Sequence, residues 1–562
     1  MPESMETFDL VVIGSGAGGL SAAVTAAHRG LRVVVLEKTE VLGGTTAWSG
    51  GWIFAPRNAV ARRAGINEEI DAPRRYLTAV TGNYARPEKI EAFLEAAPEM
   101  VSFFEENTAL TFDGGLVIPD TYGHQPGAGT GGRSVIAQPY DARGLGEAVK
   151  LLRLPLPETT FKGMTIQSGA DLKAFMTMTR DVKSFAHVTK RVTKHFRDLA
   201  LHGRGMELRN GAALVGRLMR SALDKGVDLR VRQQITGLER EGDRVTGVRL
   251  ADGSVILGTH GVVLATGGYG HDSQRRHDSF RRDDEHLSLA VPSATGDGLR
   301  LGEAVGGLVD LSVKSAAAQC PVSHVTWADG STGVFPHIID RGKPGLIGVM
   351  ANGKRFCNEG LGYHDYVDAL LEALPEGQPA KSWMICDHRF LRRFGLGIVR
   401  PAPVPYHGWI KRGYLKTGAT PAELARACGI DPAGLEQTLA HWNEHARQGE
   451  DPEFHRGTTA YMRLQGDPEQ KPNPNVAPIE AAPYYAVEVV PGSFGTFAGL
   501  STDVHARVLD AEGHVIPGLY AAGTDAASVF GGFYPAGGIN LGPALTFGFI
   551  AGRHAASEAA AA

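Results

Sequence analysis

Residues 8–37 read FDLVVIGSGAGGLSAAVTAAHRGLRVVVLE, and this stretch constrains the fold more than any other in the chain. An apolar strand pattern at Phe8–Ile13 runs into Gly14-Ser15-Gly16-Ala17-Gly18-Gly19. An alanine-rich helical segment, Leu20–Arg29, comes next, then Gly30 and a second apolar strand, Leu31–Leu36, ending in Glu37. This is G-x-G-x-x-G in its required setting: a strand before it, a helix after it and an acid roughly 20 residues on. Gly14, Gly16 and Gly19 let backbone approach a pyrophosphate, and the helix start at Ala17 favours its negative charge. Glu37 is expected to accept hydrogen bonds from the adenosine ribose. A glycine turn of purely local use would require neither the helix nor the acid, so the spacing predicts a dinucleotide-binding α/β domain.

The residues after Glu37 distinguish between dinucleotides. Glu37-Lys38, Gly43-Gly44-Thr45-Thr46 and Ser49-Gly50-Gly51 form a second glycine- and hydroxyl-rich loop where nicotinamide dehydrogenases ordinarily continue with a helix. Two later segments are of the same kind: VVLATGG at 262–268, a buried strand ending in a glycine turn, and GLYAAGTD at 518–525. Together they resemble the flavoproteins of the fumarate reductase and ketosteroid dehydrogenase superfamily. The resemblance implies FAD, held by Gly14, Gly16, Ala17, Gly19, Glu37, Lys38, Gly44, Thr45, Thr46, Ser49, Gly50, Gly51, Ile235, Thr266, Gly267, Gly523, Asp525, Asn540 and Leu541. Binding is expected to be non-covalent, because the early loop GGTTAWSGG lacks the histidine that respiratory relatives use. The glycine-rich run GGFYPAGGINLGPALTFGFIAG, residues 531–552, leads into a helical segment at Ala544–Ala556, with Pro543 near its first turn. By resemblance this helix points its N-terminus at the flavin pyrimidine edge, where its partial positive charge favours the anionic reduced flavin.

At 562 residues the chain is too long for one simple core. The expected fold class is α/β, a discontinuous Rossmann-like FAD-binding domain with an inserted α+β substrate-capping domain. The expected spans are 1–300 and 491–562 for the former and 301–490 for the latter. With 57 basic against 61 acidic side chains the net charge is −4, which excludes nucleic acid as the main partner. The 73 glycines are roughly twice the usual share and are clustered, as backbone brought close to a ligand would be. The cysteines Cys320, Cys357, Cys386 and Cys428 form no C-x-x-C pair, so no metal site is expected and a reducing, cytoplasmic setting is. The N-terminus has no basic n-region, so no signal peptide is expected. The uncharged windows Leu10–Ala27 and Ala526–Gly552 are too rich in glycine, and the second also in proline, to read as membrane spans.

The capping segment carries the chemistry. Arg355-Phe356-Cys357-Asn358-Glu359 matches the R-F-x-N-E motif that in fumarate reductases precedes a proton-donating arginine, but here Tyr363 stands in that region. Pro491-Gly492-Ser493-Phe494-Gly495-Thr496 has no histidine at the expected place, and no cation occurs between Ala526 and Gly552. A dicarboxylate needs guanidinium forks, so fumarate chemistry lacks its anchors. The substitutions instead resemble the 3-ketosteroid Δ1-dehydrogenases over nearly the whole chain. Asn358 to Tyr363 matches N-E-x-x-x-Tyr, and Tyr534 with Gly538 matches a late Tyr-x-x-x-Gly. The turn 491–496 is followed by Gly499 and Thr502-Asp503, and Gly132-Arg133-Ser134 and Tyr140–Gly146 match further family segments. The resemblance implies removal of two hydrogens beside a ketone. Tyr534 and the Gly538 N–H would polarise the carbonyl oxygen as oxyanion donors do. Tyr363 would be the base, with a pKa lowered from about 10 by hydrogen bonds from His364 or another tyrosine.

The chain departs from the family at Pro119-Asp120-Thr121-Tyr122-Gly123-His124, where a tyrosine is expected one position earlier than Tyr122. Either Tyr122 swings into the site or the base is supported differently. An isolated tyrosine is more often a packed amphipathic side chain, and Asp120, His124 and His364 read as surface or supporting residues. The expected substrate is a 3-ketosteroid, desaturated at C1–C2, with a smaller ring such as cyclohexanone as the alternative. A fumarate- or urocanate-type reductase and a non-catalytic binding protein on the same fold also stay open. The electron acceptor is expected to be a carrier such as a quinone. Finally, Asp171–Leu199 combines near-helical apolar spacing with Lys173, Arg180, Lys183, Lys190, Arg191, Lys194 and Arg197. It reads as a solvated face over a core contact, or else as a peripheral membrane contact.

Overall fold

The structure, a computed structural model, describes residues 5–561. Its central sheet has six strands, ordered Asp228–Arg230, Val33–Leu36, Leu10–Ile13, Val262–Leu264, Val515–Ala521 and Arg507–Leu509. The first five run parallel, in register through Val11 opposite Val34 and Val262, and Val262 opposite Leu519. LVVI, VVVL and VVL are buried at every position, as parallel strands covered on both faces must be. The predicted strand at Phe8–Ile13 divides at Asp9. Met5–Phe8 joins a second sheet beside Val255–Gly258, while Leu10–Ile13 enters the central one.

Helix Ala17–His28 packs along the C-terminal helix Leu541–Ala561, and small residues permit the close approach. A methyl group at Gly548 would lie 2.3 Å from the Gly18 carbonyl oxygen, and one at Gly552 would lie 2.4 Å from that of Ala22. Ser21 Oγ donates to the Leu545 carbonyl at 2.6 Å across the same seam. Pro543 sits in the first turn of the C-terminal helix, as its missing N–H allows.

A seven-stranded sheet carries Tyr363 and its surroundings. Its path runs Thr332–Pro336, Ala317–Thr326, Tyr484–Thr496, Ser382–Asp387 and Leu346–Val349. Strand Tyr484–Thr496 passes uninterrupted through the expected boundary at 490–491, and Leu287–Ser288 pairs with Gly492 and Ser493 although it precedes residue 301. That pairing stays within the expected FAD-binding spans, whereas Ala317 and Gln319 of the expected cap pair with Thr496 and Ser493 across the boundary at 490–491.

The amphipathic segment forms two helices, Ala170–Thr177 and Val182–His202. The second buries Val188, Arg191, His195 and Asp198, while Val182, Phe185 and Phe196 face out at 82%, 55% and 45% exposure. The expected apolar contact is thus largely replaced by a polar one, because Arg191 pairs with the buried Asp171 and Arg143 with Asp198. No helix among the described residues is long and apolar enough to cross a membrane, and none of their His, Cys, Asp and Glu side chains group as a metal site.

Candidate active site

The strand–turn–helix at 10–28 creates a cradle. Gly14 has φ +104°, and a side chain there would meet the Ala265 carbonyl oxygen at 2.1 Å; one at Gly19 would meet that of Gly14 at 2.0 Å. By contrast, a methyl group would face open space at Gly44, Gly50 and Gly537, and only Ala294 at 3.9 Å at Gly267. Glycines crowded behind and open in front suit a groove against which a dinucleotide lies, so these residues fit FAD. Ser15 Oγ donates to Glu37 Oε2 at 2.6 Å and Thr39 donates to Oε1, which fixes the buried carboxylate. Asp525, fully buried, accepts from the Thr266 and Gly268 amides and from Thr266 Oγ1, locking the turn at Thr266-Gly267 to the segment containing Gly523.

Several residues expected to touch the cofactor hold the scaffold. Lys38 pairs with Asp297 at 2.5 Å and Thr295 at 2.8 Å. Thr46 Oγ1 accepts from the Ala17 amide, Ser49 Oγ donates to the Thr46 carbonyl, and Thr45 Oγ1 accepts from the Val291 amide. At Gly51 a side chain would strike the backbone of Asn210 at 2.5 Å. Ile235 packs in one apolar cluster with Ile13 and Leu36. Asn540 lines a cleft with Thr496, Phe497, Gly523 and Thr524, and Leu541 opens the C-terminal helix beside it.

Tyr363 opens helix Tyr363–Ala373 and meets Tyr534 edge-on, ring centroids 4.8 Å apart at 71°. Phe494 closes the far side of the Tyr363 ring at 5.5 Å. The segment carrying Tyr534 is pinned at several points just beyond it. The Pro535 carbonyl accepts from the Thr121 amide at 2.9 Å and from the Tyr76 hydroxyl. The Gly537 carbonyl accepts from Ser134 Oγ, and that of Gly538 from the Phe54 and Gly542 amides. Gly538 itself has φ +97°, and its own N–H donates to no acceptor among the described residues. Tyr363 and Tyr534 thus meet, and Gly538 lies four residues beyond Tyr534 in the same pinned segment.

Tyr122 does not join them. Its hydroxyl donates to Asp365 Oδ1 at 2.8 Å. Two expectations about the base need correction. Burial, then neighbouring phenols, raise the Tyr363 pKa well above its usual value rather than lowering it. His364 does not serve Tyr363: its Nδ1 accepts from the Gln319 amide at 3.1 Å, and its Nε2 lies 3.6 Å from Asp368. Asp120, expected as a surface or a supporting residue, is buried. It pairs with Arg133 and accepts from the Gly129 amide, which folds the 120–129 loop onto the site, and burial pushes its carboxyl up to about 6.

Sequence reasoning missed Tyr461, whose charge would be felt at both Tyr363 and Tyr534, together with Arg341 and Asp365. Tyr461 lies in a six-residue helix a hundred positions from the motif, and no local pattern marks it. Arg355 of the R-F-x-N-E motif is spent on buried ion pairs with Glu359 and Asp451 and faces no substrate. A Ser323–His337–Asp340 string, with bonds of 2.8 and 2.7 Å, resembles a hydrolytic triad. Ser323 and His337 are sealed in the core at 1% and 0% exposure, so the string serves packing.

Residues 9–541 match the family described as FAD binding domain. The chain is 39% identical to the 4-oxocyclohex-2-ene-1-carboxylate 5-dehydrogenase of Sinomonas cyclohexanicum, with 98% of this chain and 94% of the relative covered. It is 34% identical to the 3-oxosteroid 1-dehydrogenase of Mycobacterium tuberculosis, with 99% of each covered. Among solved structures it superposes on the 3-ketosteroid Δ1-dehydrogenase of Sterolibacterium denitrificans, in complex with 1,4-androstadiene-3,17-dione, at a TM-score of 0.91. Identity there is 33%, with 98% of this chain and 100% of that chain covered.

Proposed function

This chain belongs to the FAD binding domain family, among the FAD-dependent dehydrogenases that act on the CH–CH group of ketones, and on that premise we propose that it desaturates a cyclic ketone beside its carbonyl. The observation that carries this reading is the edge-on contact of Tyr363 with Tyr534, four residues before Gly538, whose N–H donates to no acceptor among the described residues. Tyr534 O–H and Gly538 N–H hold the substrate carbonyl oxygen and stabilise the developing enolate; an oxyanion donor of this kind is worth roughly 10²–10³ in rate. The Tyr363 oxygen takes the α proton. FAD, when bound, would supply the hydride acceptor for the β hydrogen. The glycine groove of 1–300 and 491–562 would hold the cofactor, with 301–490 as the cap. Phe494 and the apolar residues around Tyr363, among them Ile338 and Val490, exclude water from the enolate.

We read the ketone as the A ring of a 3-ketosteroid. A second reading, a single ring of the 4-oxocyclohexanecarboxylate kind, is favoured by Thr121 standing where a tyrosine was expected. Incubation with androst-4-ene-3,17-dione or with 4-oxocyclohexanecarboxylate and an artificial acceptor tests both. A product lighter by two hydrogens identifies the substrate, and no such product from either ketone refutes the reading. The electron acceptor is read as a quinone, met where Val182, Phe185 and Phe196 project among basic residues. Phe185→Asp together with Phe196→Asp is expected to abolish sedimentation with anionic vesicles and to leave turnover with a soluble acceptor intact.

A further inference from the structure

A reduced flavin carries negative charge at its pyrimidine edge, so cations and free amides that face that edge set how readily FAD is reduced. The start of the C-terminal helix supplies amides: those of Asn540 and Leu541 donate to no acceptor among the described residues. Beside them runs the cleft that Asn540 shares with Gly523 and Thr524, and Lys89 is another of its walls, with Pro543 and Phe547. This cleft lies where the glycine groove meets the proposed ketone site. Gly523 belongs to the segment that Asp525 locks to Thr266 and Gly268, and Phe497, a further wall, meets the Tyr534 ring at 6.1 Å.

Lys89 stands in the first turn of helix Pro87–Asn107, and its half-buried ammonium is held from three sides. Nζ donates to Thr502 Oγ1 at 2.7 Å and to the Asp503 carbonyl at 2.9 Å, and it lies 4.0 Å from the centroid of the Phe547 ring. Its third N–H has no acceptor among the described residues. None of their carboxylates pairs with it either. Asp503 is taken by Arg507 at 2.6 Å, and the neighbouring Arg86 takes Asp310 at 2.6 Å. An ammonium withdrawn from water without a counter-charge costs free energy, and one held this firmly at a cleft points to an anion that the cleft receives.

We propose that Lys89 is the cation that biases bound FAD towards its anionic reduced form, acting beside the start of the C-terminal helix. The lysine exchanges no atoms with the flavin; its charge stabilises the electron pair that the flavin gains. Lys89 plays this part whatever ketone supplies the electrons. Burial lowers its ammonium to about 7, with Asp503 opposing the fall and Arg86 adding to it, so the charge is largely present at pH 6 and lost by pH 9. The other charged and titratable groups nearby are Arg507 and Asp310, already paired, and His505 and His554, whose rings meet at 4.9 Å.

Sulfite tests this without any ketone, because it adds to oxidised flavin through its sulfur lone pair and leaves negative charge on the same pyrimidine edge. Wild-type holoenzyme and variants, each loaded to full flavin content, are titrated with sulfite at pH 6 while the visible band is followed. Lys89→Met, which keeps the length and removes the charge, should bind sulfite roughly 10-fold more weakly than wild type, the order expected of one charge in a partly buried setting. Lys89→Gln, which keeps a donor for Thr502, should show the same loss, and it decides the matter if Lys89→Met does not fold. Lys89→Arg should keep the wild-type affinity. At pH 9, where wild type has lost the charge, the gap between wild type and the uncharged variants should close. Wild-type affinity in Lys89→Gln at pH 6 overturns the assignment. An equal loss in Lys89→Arg overturns it too, because the contact rather than the charge would then be responsible.

Discussion

Burial pushes the Asp365 carboxyl up to about 7, even though Tyr122 donates to one of its oxygens; the other oxygen is buried without a partner. The consequence for stability has a definite sign. The folded protein holds this proton in the window between the ordinary carboxylate value near 3.9 and about 7, where the unfolded chain has lost it, so stability falls as pH rises across that window. Asp365→Asn keeps the acceptor for Tyr122 and removes the charge. Its melting temperature should exceed that of wild type at pH 8 by about 2–4 °C and converge with it near pH 4, as measured by circular dichroism. Asp365 also shows what was legible at this scale. Tyr363, Tyr534 and Gly538 could be singled out as candidates because each belongs to a short motif. Tyr461 and Arg341 could not, because no local pattern marks a short helix or a turn of this kind. The direction of the Tyr363 shift was also out of reach, since desolvation depends on what the cap covers.

Among the elements, the strands at 10–13, 33–36 and 262–264 were readable because burial on both faces leaves an uninterrupted apolar run. The basic segment at 171–199 was misjudged for the converse reason: its buried face is made of charge pairs, which hydrophobic spacing cannot signal. The helix pair Ala17–His28 and Leu541–Ala561 depends on small residues at the seam. Gly548→Val would force a side chain onto the Gly18 backbone at the first turn of the cofactor-facing helix. We expect a loss of about 1–3 kcal/mol in unfolding free energy by urea titration, the usual cost of overpacking, together with weaker retention of FAD on dialysis. Unchanged stability and flavin content would mean that the two helices are free to separate.

Across the whole molecule, the proposed site is assembled from parts far apart in sequence. Tyr363 comes from a helix beneath the seven-stranded sheet, Tyr534 and Gly538 from the run before the C-terminal helix, and Thr121 from a loop held by Arg133. The loop before Tyr363 is fixed by a buried network in which Arg355 binds Glu359 and Asp451, and Arg456 binds Glu359. Removing one partner leaves an uncompensated buried charge, so Arg355→Ala should destabilise the protein by about 3–5 kcal/mol in denaturant titrations. The central claim is that Tyr363 serves as the base in ketone desaturation, and anaerobic mixing tests it most directly. The visible flavin band is monitored after adding androst-4-ene-3,17-dione or 4-oxocyclohexanecarboxylate to wild type and to Tyr363→Phe. Bleaching by one of the ketones in wild type, slowed at least about 100-fold in Tyr363→Phe with flavin content unchanged, is the predicted result. Bleaching at the same rate in both proteins would contradict the assignment of the base. No bleaching by either ketone, with reoxidation of the reduced flavin by an unsaturated acid, would contradict the reaction itself.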